Sequence, residues 1–236
     1  MLSLIEQPED YSQMLKRVFV ATLTAGIVST LILGYFSPPV QSLLFHSSTK
    51  LNLGFADLPW LIVVIPLFLA VLSRAVKLHD RISDLLGIRR CFDRRHILMP
   101  LARGVDIKLD DHADMILKTN RHALMRKTFY TYAPNARDAA INRQYVAAAL
   151  DQWGWFWSCL EPSVVFLLAS VFAGALVGFP LALAFVILSA ILIFAAFGLW
   201  FSCVRAGKKQ VDDILDDKLR RTSIAGHFNA VLGKRA

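Results

Sequence analysis

From Pro162 to Val204 the chain has no Asp, Glu, Lys or Arg, 43 residues in a row, and only Gly178-Phe179-Pro180 interrupts the run. A domain that folds in water rarely goes so long without charge. Helices rise about 1.5 Å per residue, so about 20 apolar residues cross the hydrocarbon core. The run therefore reads as two membrane spans joined by a very tight turn. Cysteine is scarce as well. Cys91, Cys159 and Cys203 fall at or inside the cytosolic boundary of the layout derived below, and no disulfide framework is implied.

Chemical signatures are missing too. The sequence has no Gly-rich phosphate loop, nucleophile elbow or His-Glu-x-x-His. His79-Asp80 lacks the further His and Asp that a metal phosphohydrolase needs. His96, His112 and His122 with Cys91 match no closed zinc spacing. No cofactor is implied, and the chain is not read as an enzyme. No ionisable residue falls in the middle of any span, which speaks against a proton relay or coupling-ion site.

Two more apolar stretches are present. Val18 to Thr49 is 32 residues without formal charge, and its helical part should end before Ser37-Pro38-Pro39. Leu58 to Ser73 holds 16 uncharged residues between Trp60 and Arg74, with Pro66 as an expected kink. Charge asymmetry orients the spans. Fourteen Lys and Arg lie between Ala75 and Glu161 and 8 follow from Arg205, whereas the loop from Ser37 to Asp57 has only Lys50. Basic segments stay cytosolic, so both termini are placed inside a bacterial inner membrane. The net charge of +8 follows from that topology, and nucleic acid is not required. Glu6, Glu9 and Asp10 ahead of a long apolar run do not read as a cleaved signal peptide.

The predicted fold is an all-α integral membrane protein with four spans. Residues 1–17 are a cytosolic N-terminus, 18–37 the first span, 38–57 a periplasmic loop and 58–74 the second span. Residues 75–160 form a helical cytosolic domain, 161–178 and 180–204 are the third and fourth spans, and 205–236 are a cytosolic helix or tail that completes the domain. The second span is expected to continue as a helix through Lys77, Asp80 and Arg81 to Gly87. Further helices are expected from Asp110 to a break at Pro134-Asn135, and from Arg137 into the third span.

Candidate sites follow from clustered residue types. Arg89, Arg90, Arg94 and Arg95 make the densest positive cluster, suited to an anionic ligand (a nucleotide second messenger, a nucleic acid end or a lipid head group) or to a partner protein. The same cluster also serves as a juxtamembrane topology signal. Phe129, Tyr130 and Tyr132 beside Arg137 form an aromatic surface for stacking, or equally the core of a small domain. Ala169, Ala173, Gly174 and Gly178 offer small residues at four-residue spacing for close helix packing, within one chain or in a homo-oligomer. Trp153, Trp155 and Trp157 read as an interfacial belt.

Asp110-Asp111-His112-Ala113-Asp114 and Asp212-Asp213-Ile214-Leu215-Asp216 both have the form Asp-Asp-x-x-Asp. This pair resembles the aspartate-rich motifs of isoprenyl-diphosphate enzymes. The resemblance implies that Asp110, Asp111 and Asp114, with Asp212, Asp213 and Asp216, hold Mg²⁺ against a diphosphate. Ordinary roles compete: helix N-terminal acids for the first copy, and ion pairing of Asp216 and Asp217 with Arg220 and Arg221 for the second.

The functional expectation is a non-enzymatic membrane protein whose cytosolic domain senses a ligand or partner and moves the spans. As an oligomer it would open a pore or disrupt the bilayer, by analogy of architecture with membrane effectors of anti-phage systems. Thr22, Thr24, Ser29 and Thr30 are the mild pore-lining candidates. The alternative is a scaffold that recruits a cytosolic protein, and a more remote one is the Mg²⁺-dependent lipid-diphosphate enzyme.

Overall fold

A computed structural model describes residues 7–45, 50–52, 57–109, 111–134, 136 and 138–232. The described chain is helical apart from one short hairpin, and it divides into two compact units. Residues 1–79 and 153–200 make one; residues 80–152 and 201–236 make the other.

In the first unit α1 (Tyr11–Phe36) starts where the Asp10 carboxylate accepts the Gln13 N–H at 2.8 Å, an N-terminal cap. It stops at Ser37, as the Ser37-Pro38-Pro39 sequence predicts, and α2 (Pro38–Phe45) follows. β1 (Lys50–Asn52) pairs antiparallel with β2 (Asp57–Pro59), Leu51 opposite Leu58, so the hairpin takes up the end of the stretch read as a loop and the first two residues read as the second span. α3 (Leu61–Ala75) contains Pro66, and α1 approaches the proline at a glycine. A Cβ on Gly26 would lie 2.9 Å from Pro66 Cβ.

The continuous helix expected through Lys77 is not formed. α3 ends at Val76, Lys77 adopts φ +51°, and α4 (Leu78–Leu85) leaves at 60° to α3. One residue in the left-handed region breaks the helical repeat and turns the chain.

α9 (Arg143–Leu176) and α10 (Phe179–Leu215) are joined through Val177-Gly178, with Gly178 at φ +131°, where a side chain would be strained. α9 starts at Arg143, later than the Arg137 expected. The apolar halves of the two helices lie in the first unit. Ala169 and Ala173 are buried there with Ala25, Phe166 and Phe185, and a Cβ on Gly174 would meet Ala182 Cβ at 3.6 Å. Phe166 and Phe185 stack 6.1 Å apart. α1, α9 and α10 are long and apolar enough to cross a membrane, and the bent α3–α4 pair makes a fourth candidate.

The second unit packs short helices with the charged ends of α9 and α10, residues 143–152 and 201–215. α5 (Ile88–Phe92) runs into a π-helical stretch, Asp93–Leu98, and α6 (Met99–Gly104). α7 (Asp111–Thr119), α8 (Arg121–Thr128), a 3₁₀ turn at Tyr130–Tyr132 and α11 (Lys218–Leu232) complete it. The single helix expected to run up to Pro134 is thus two. Asn120 ends α7 by turning its side-chain N–H onto the Ile116 carbonyl at 3.2 Å, which competes with helix continuation. Leu98, Leu101, Leu117, Leu124, Ile214, Ile224 and Phe228 form the buried core.

Close packing at Gly26 yields a paired test. Gly26→Val should destabilise the detergent-solubilised protein by about 1–3 kcal/mol through overpacking on Pro66. Gly198→Ala, where a Cβ meets nothing within 4 Å, should leave the thermal unfolding midpoint unchanged or slightly raised.

Candidate functional site

The arginine cluster is not a single face of free cations. Arg89, on α5, hydrogen-bonds to the Tyr130 hydroxyl, and Arg90 stands 4.0 Å from Asp84. Asp93 lies in the middle of the cluster, buried and paired with Arg121 of α8, whose second guanidinium nitrogen lies 2.8 Å from His122 Nε2. Burial raises the Asp93 carboxyl above its ordinary range even against the Arg121 and Arg89 charges. Arg94 is half-buried in the π-helical stretch and Arg95 is exposed beside it. The sequence cluster is therefore a structural node around one buried acid. Arg121, its key partner, went unsingled in the sequence because the two are 28 residues apart.

The aromatic surface also separates. Phe129 and Tyr132 are buried in the core, and only Tyr130 is exposed, against Arg89. Arg137 and Asp110 lie outside the described residues, as do the side chains of Asp111 and Asp114. Of the second acidic motif, Asp213 accepts the Asn142 N–H at 3.0 Å, Asp212 and Asp216 are exposed, and Asp216 falls beyond the end of α10. Asp217 pairs with Arg220 at 3.5 Å, so the ion-pair role is realised at i,i+3. Among the described residues no three His, Cys, Asp or Glu side chains come together to hold a metal.

Two other arrangements carry more chemistry. In the second unit, a groove runs between α9 and α10, lined by Tyr145, Ala148 and Gln152 on one side and Ser202, Arg205, Ala206 and Lys209 on the other. Lys209 Nζ sits 5.6 Å from the Tyr145 ring centroid, and Gln210 donates to the Tyr145 carbonyl at 3.1 Å. Two cations, an amide, a hydroxyl and a phenol line it, and no acid does among the described residues. That set fits an anion with several acceptor oxygens.

In the first unit Glu161 is 4% exposed. Its Oε2 accepts from Thr22 Oγ1 of α1 at 3.1 Å and from Ser73 Oγ of α3 at 3.4 Å. The sequence places Glu161 at the edge of a span; the structure places it inside the unit, where α1, α3 and α9 meet. Nearby polar residues are inward too. Arg17 is buried with its guanidinium over Trp155 at 4.8 Å, and Ser29 is buried on the Thr22 face of α1. Thr22 and Ser29 thus face the unit's own interior, while Thr24 is exposed and bonds the Val20 carbonyl. The three tryptophans diverge, Trp153 to Trp200, Trp155 to Arg17 and Trp157 to His79.

Comparison with known proteins follows from residues 10–225, which match the YmfE protein family, so the chain belongs to that family. A relative in Escherichia coli (strain K12), named Uncharacterized protein YmfE, is 24% identical, the match covering 72% of this chain and 71% of that protein. No solved structure matches it.

The Asp93–Arg121 pair makes its own prediction. Asp93→Ala strands a buried guanidinium and should cost about 3 kcal/mol, a fall in Tm of roughly 6–12 °C. The double variant Asp93→Leu with Arg121→Met should recover most of that loss, read by thermal unfolding of the purified protein.

Proposed function

We propose that this member of the YmfE protein family is a multi-pass inner-membrane protein, both termini cytosolic, that binds a phosphate-bearing anion in the α9–α10 groove and passes the resulting movement to its spans. One observation carries the reading: α9 and α10 are unbroken helices, each with a charge-free half and a charged half. Their charged halves are held together by the Asn142–Asp213 and Tyr145–Gln210 bonds, directly beside the groove. An anion drawn between Arg205 and Lys209 would change that spacing, and α10, continuous from Phe179 to Leu215, delivers the change along its length. The positive-inside bias supports the orientation. Exposed Val171, Phe172, Phe194 and Phe197 on the apolar halves suit lipid or further copies of the chain. A pore or bilayer disturbance in a homo-oligomer is the output we assign to this movement, which makes the protein an effector rather than an enzyme.

A scaffold that recruits a cytosolic protein is the second reading. It is favoured by Leu85, Leu86, Met115 and Leu219 on the second unit, which are 59–85% exposed although they lie outside the charge-free runs.

Inorganic pyrophosphate is the probe for the groove. It should stabilise the full chain in nanodiscs, and Arg205→Glu with Lys209→Glu should weaken that effect about tenfold or more, the loss expected for charge-assisted bonds. Arg94→Glu with Arg95→Glu should leave it intact. Reconstituted vesicles then separate the readings. A pyrophosphate-dependent loss of membrane potential supports the effector, whereas an unchanged potential together with a co-purifying stoichiometric cytosolic protein supports the scaffold.

A further inference from the structure

Glu161 has no role in the groove, and its setting is unusual for a carboxyl group. It is enclosed by three helices that are candidates for, or contain, membrane spans. Along α9 it stands about 22 Å from Leu176, along α1 Thr22 stands about 21 Å from Phe36, and along α3 Ser73 stands about 18 Å from Leu61. In the proposed topology all three fall within a hydrocarbon core about 30 Å thick, in its cytosolic half. Ionisable groups at such depth are costly and by default functional.

The partners are two hydroxyls, and both donate to one oxygen, Oε2, at 3.1 and 3.4 Å. A carbonyl oxygen has two lone pairs for two such donors, so a neutral carboxylic acid is satisfied by hydroxyls, whereas an ionised one among apolar helices is costly. The groups that bond Glu161 are Thr22 from α1, where Arg17 lies over Trp155, and Ser73 from α3, beside Arg74. On α9 itself Ser158, one turn earlier, buries an Oγ that has no hydrogen-bond partner.

We infer that Glu161, Thr22 and Ser73 form a proton-binding site whose occupancy holds α1, α3 and α9 together. Three convergent oxygens with a single carboxyl group suit a proton; Ca²⁺ and Mg²⁺ take six or more oxygens. When the proton leaves, a carboxylate remains among apolar side chains with two long hydrogen bonds, and the junction opens toward water. The membrane unit is then responsive to protons as well as to any ligand of the groove. The inference rests on the membrane placement proposed above and not on the groove.

The test uses the full chain in nanodiscs with ¹³C-labelled glutamate and infrared difference spectroscopy. Failure of the chain to incorporate would count against the membrane placement before any band is read. With incorporation, the carbonyl stretch of a protonated glutamic acid should be present at pH 7, absent in Glu161→Gln, and shifted in its pH titration by Thr22→Val and by Ser73→Ala. If the proton holds the junction closed, stability should fall as pH rises through the titration. The wild-type midpoint should drop by about 3 °C or more between pH 6 and pH 9 relative to Glu161→Gln. An isotope-sensitive carboxylate band with no protonated carbonyl at pH 7 in the wild type would overturn the site, and that readout stands even if the Gln variant does not fold.

Discussion

A carboxyl group enclosed among apolar helices must be satisfied by whatever those helices bring to it. In the first unit this constraint sets how α1, α3 and α9 are turned about their axes. Thr22 has to face Glu161, and the same face of α1 then carries Val18, Ala25 and Ser29 inward. Ser73 anchors α3 in the same way, and Gly26 lets α1 come close enough to Pro66 for both hydroxyls to arrive. Apolar packing among Phe166, Ala173 and Phe185 supplies area, but it is tolerant of rotation. The hydrogen bonds are not, which is why a single polar junction specifies the arrangement.

The second unit solves a related problem with opposite means. Asp93 is buried with a full counter-charge, Arg121, inside an apolar core. Such a pair contributes little net stability over apolar residues of the same shape, since desolvation offsets most of the attraction. Its value lies in fixing α8 against the π-helical stretch. The Asp93 node is occupied and Arg89 and Arg90 are turned to Tyr130 and Asp84, whereas Arg205 and Lys209 line the α9–α10 groove. The charge-dense segment and the charge-accessible groove are therefore different places.

Helix content and the long apolar elements could be read from the sequence, because absence of charge is a local property and needs no partner. The end of α1 and the turn at Gly178 were legible for the same reason, since proline and glycine act on their own backbone. Glu161 was not. It borders a charge-free run and looks like an interfacial residue, and its partners lie 139 and 88 residues away. The break at Lys77 carries no glycine or proline, so nothing in the residues announces it. The arginine cluster misled for a further reason: its acid, Asp93, was visible, but the guanidinium that claims it comes from another helix.

Each unit is built from two stretches of sequence separated by part of the other. Val211, Ile214, Ile224 and Phe228, each no more than 1% exposed, belong to the same core as Leu98, Leu101, Leu117 and Leu124. When the ribosome has finished α8, half of that core does not yet exist. At about 5–20 residues per second, Leu124 waits roughly 5–20 s for Phe228. Throughout that interval the nascent chain carries bare apolar helix faces, while α9 and α10, two helices long and apolar enough to span, are still being made. The order of synthesis thus commits the apolar hairpin to its environment before the second unit's own core can be completed.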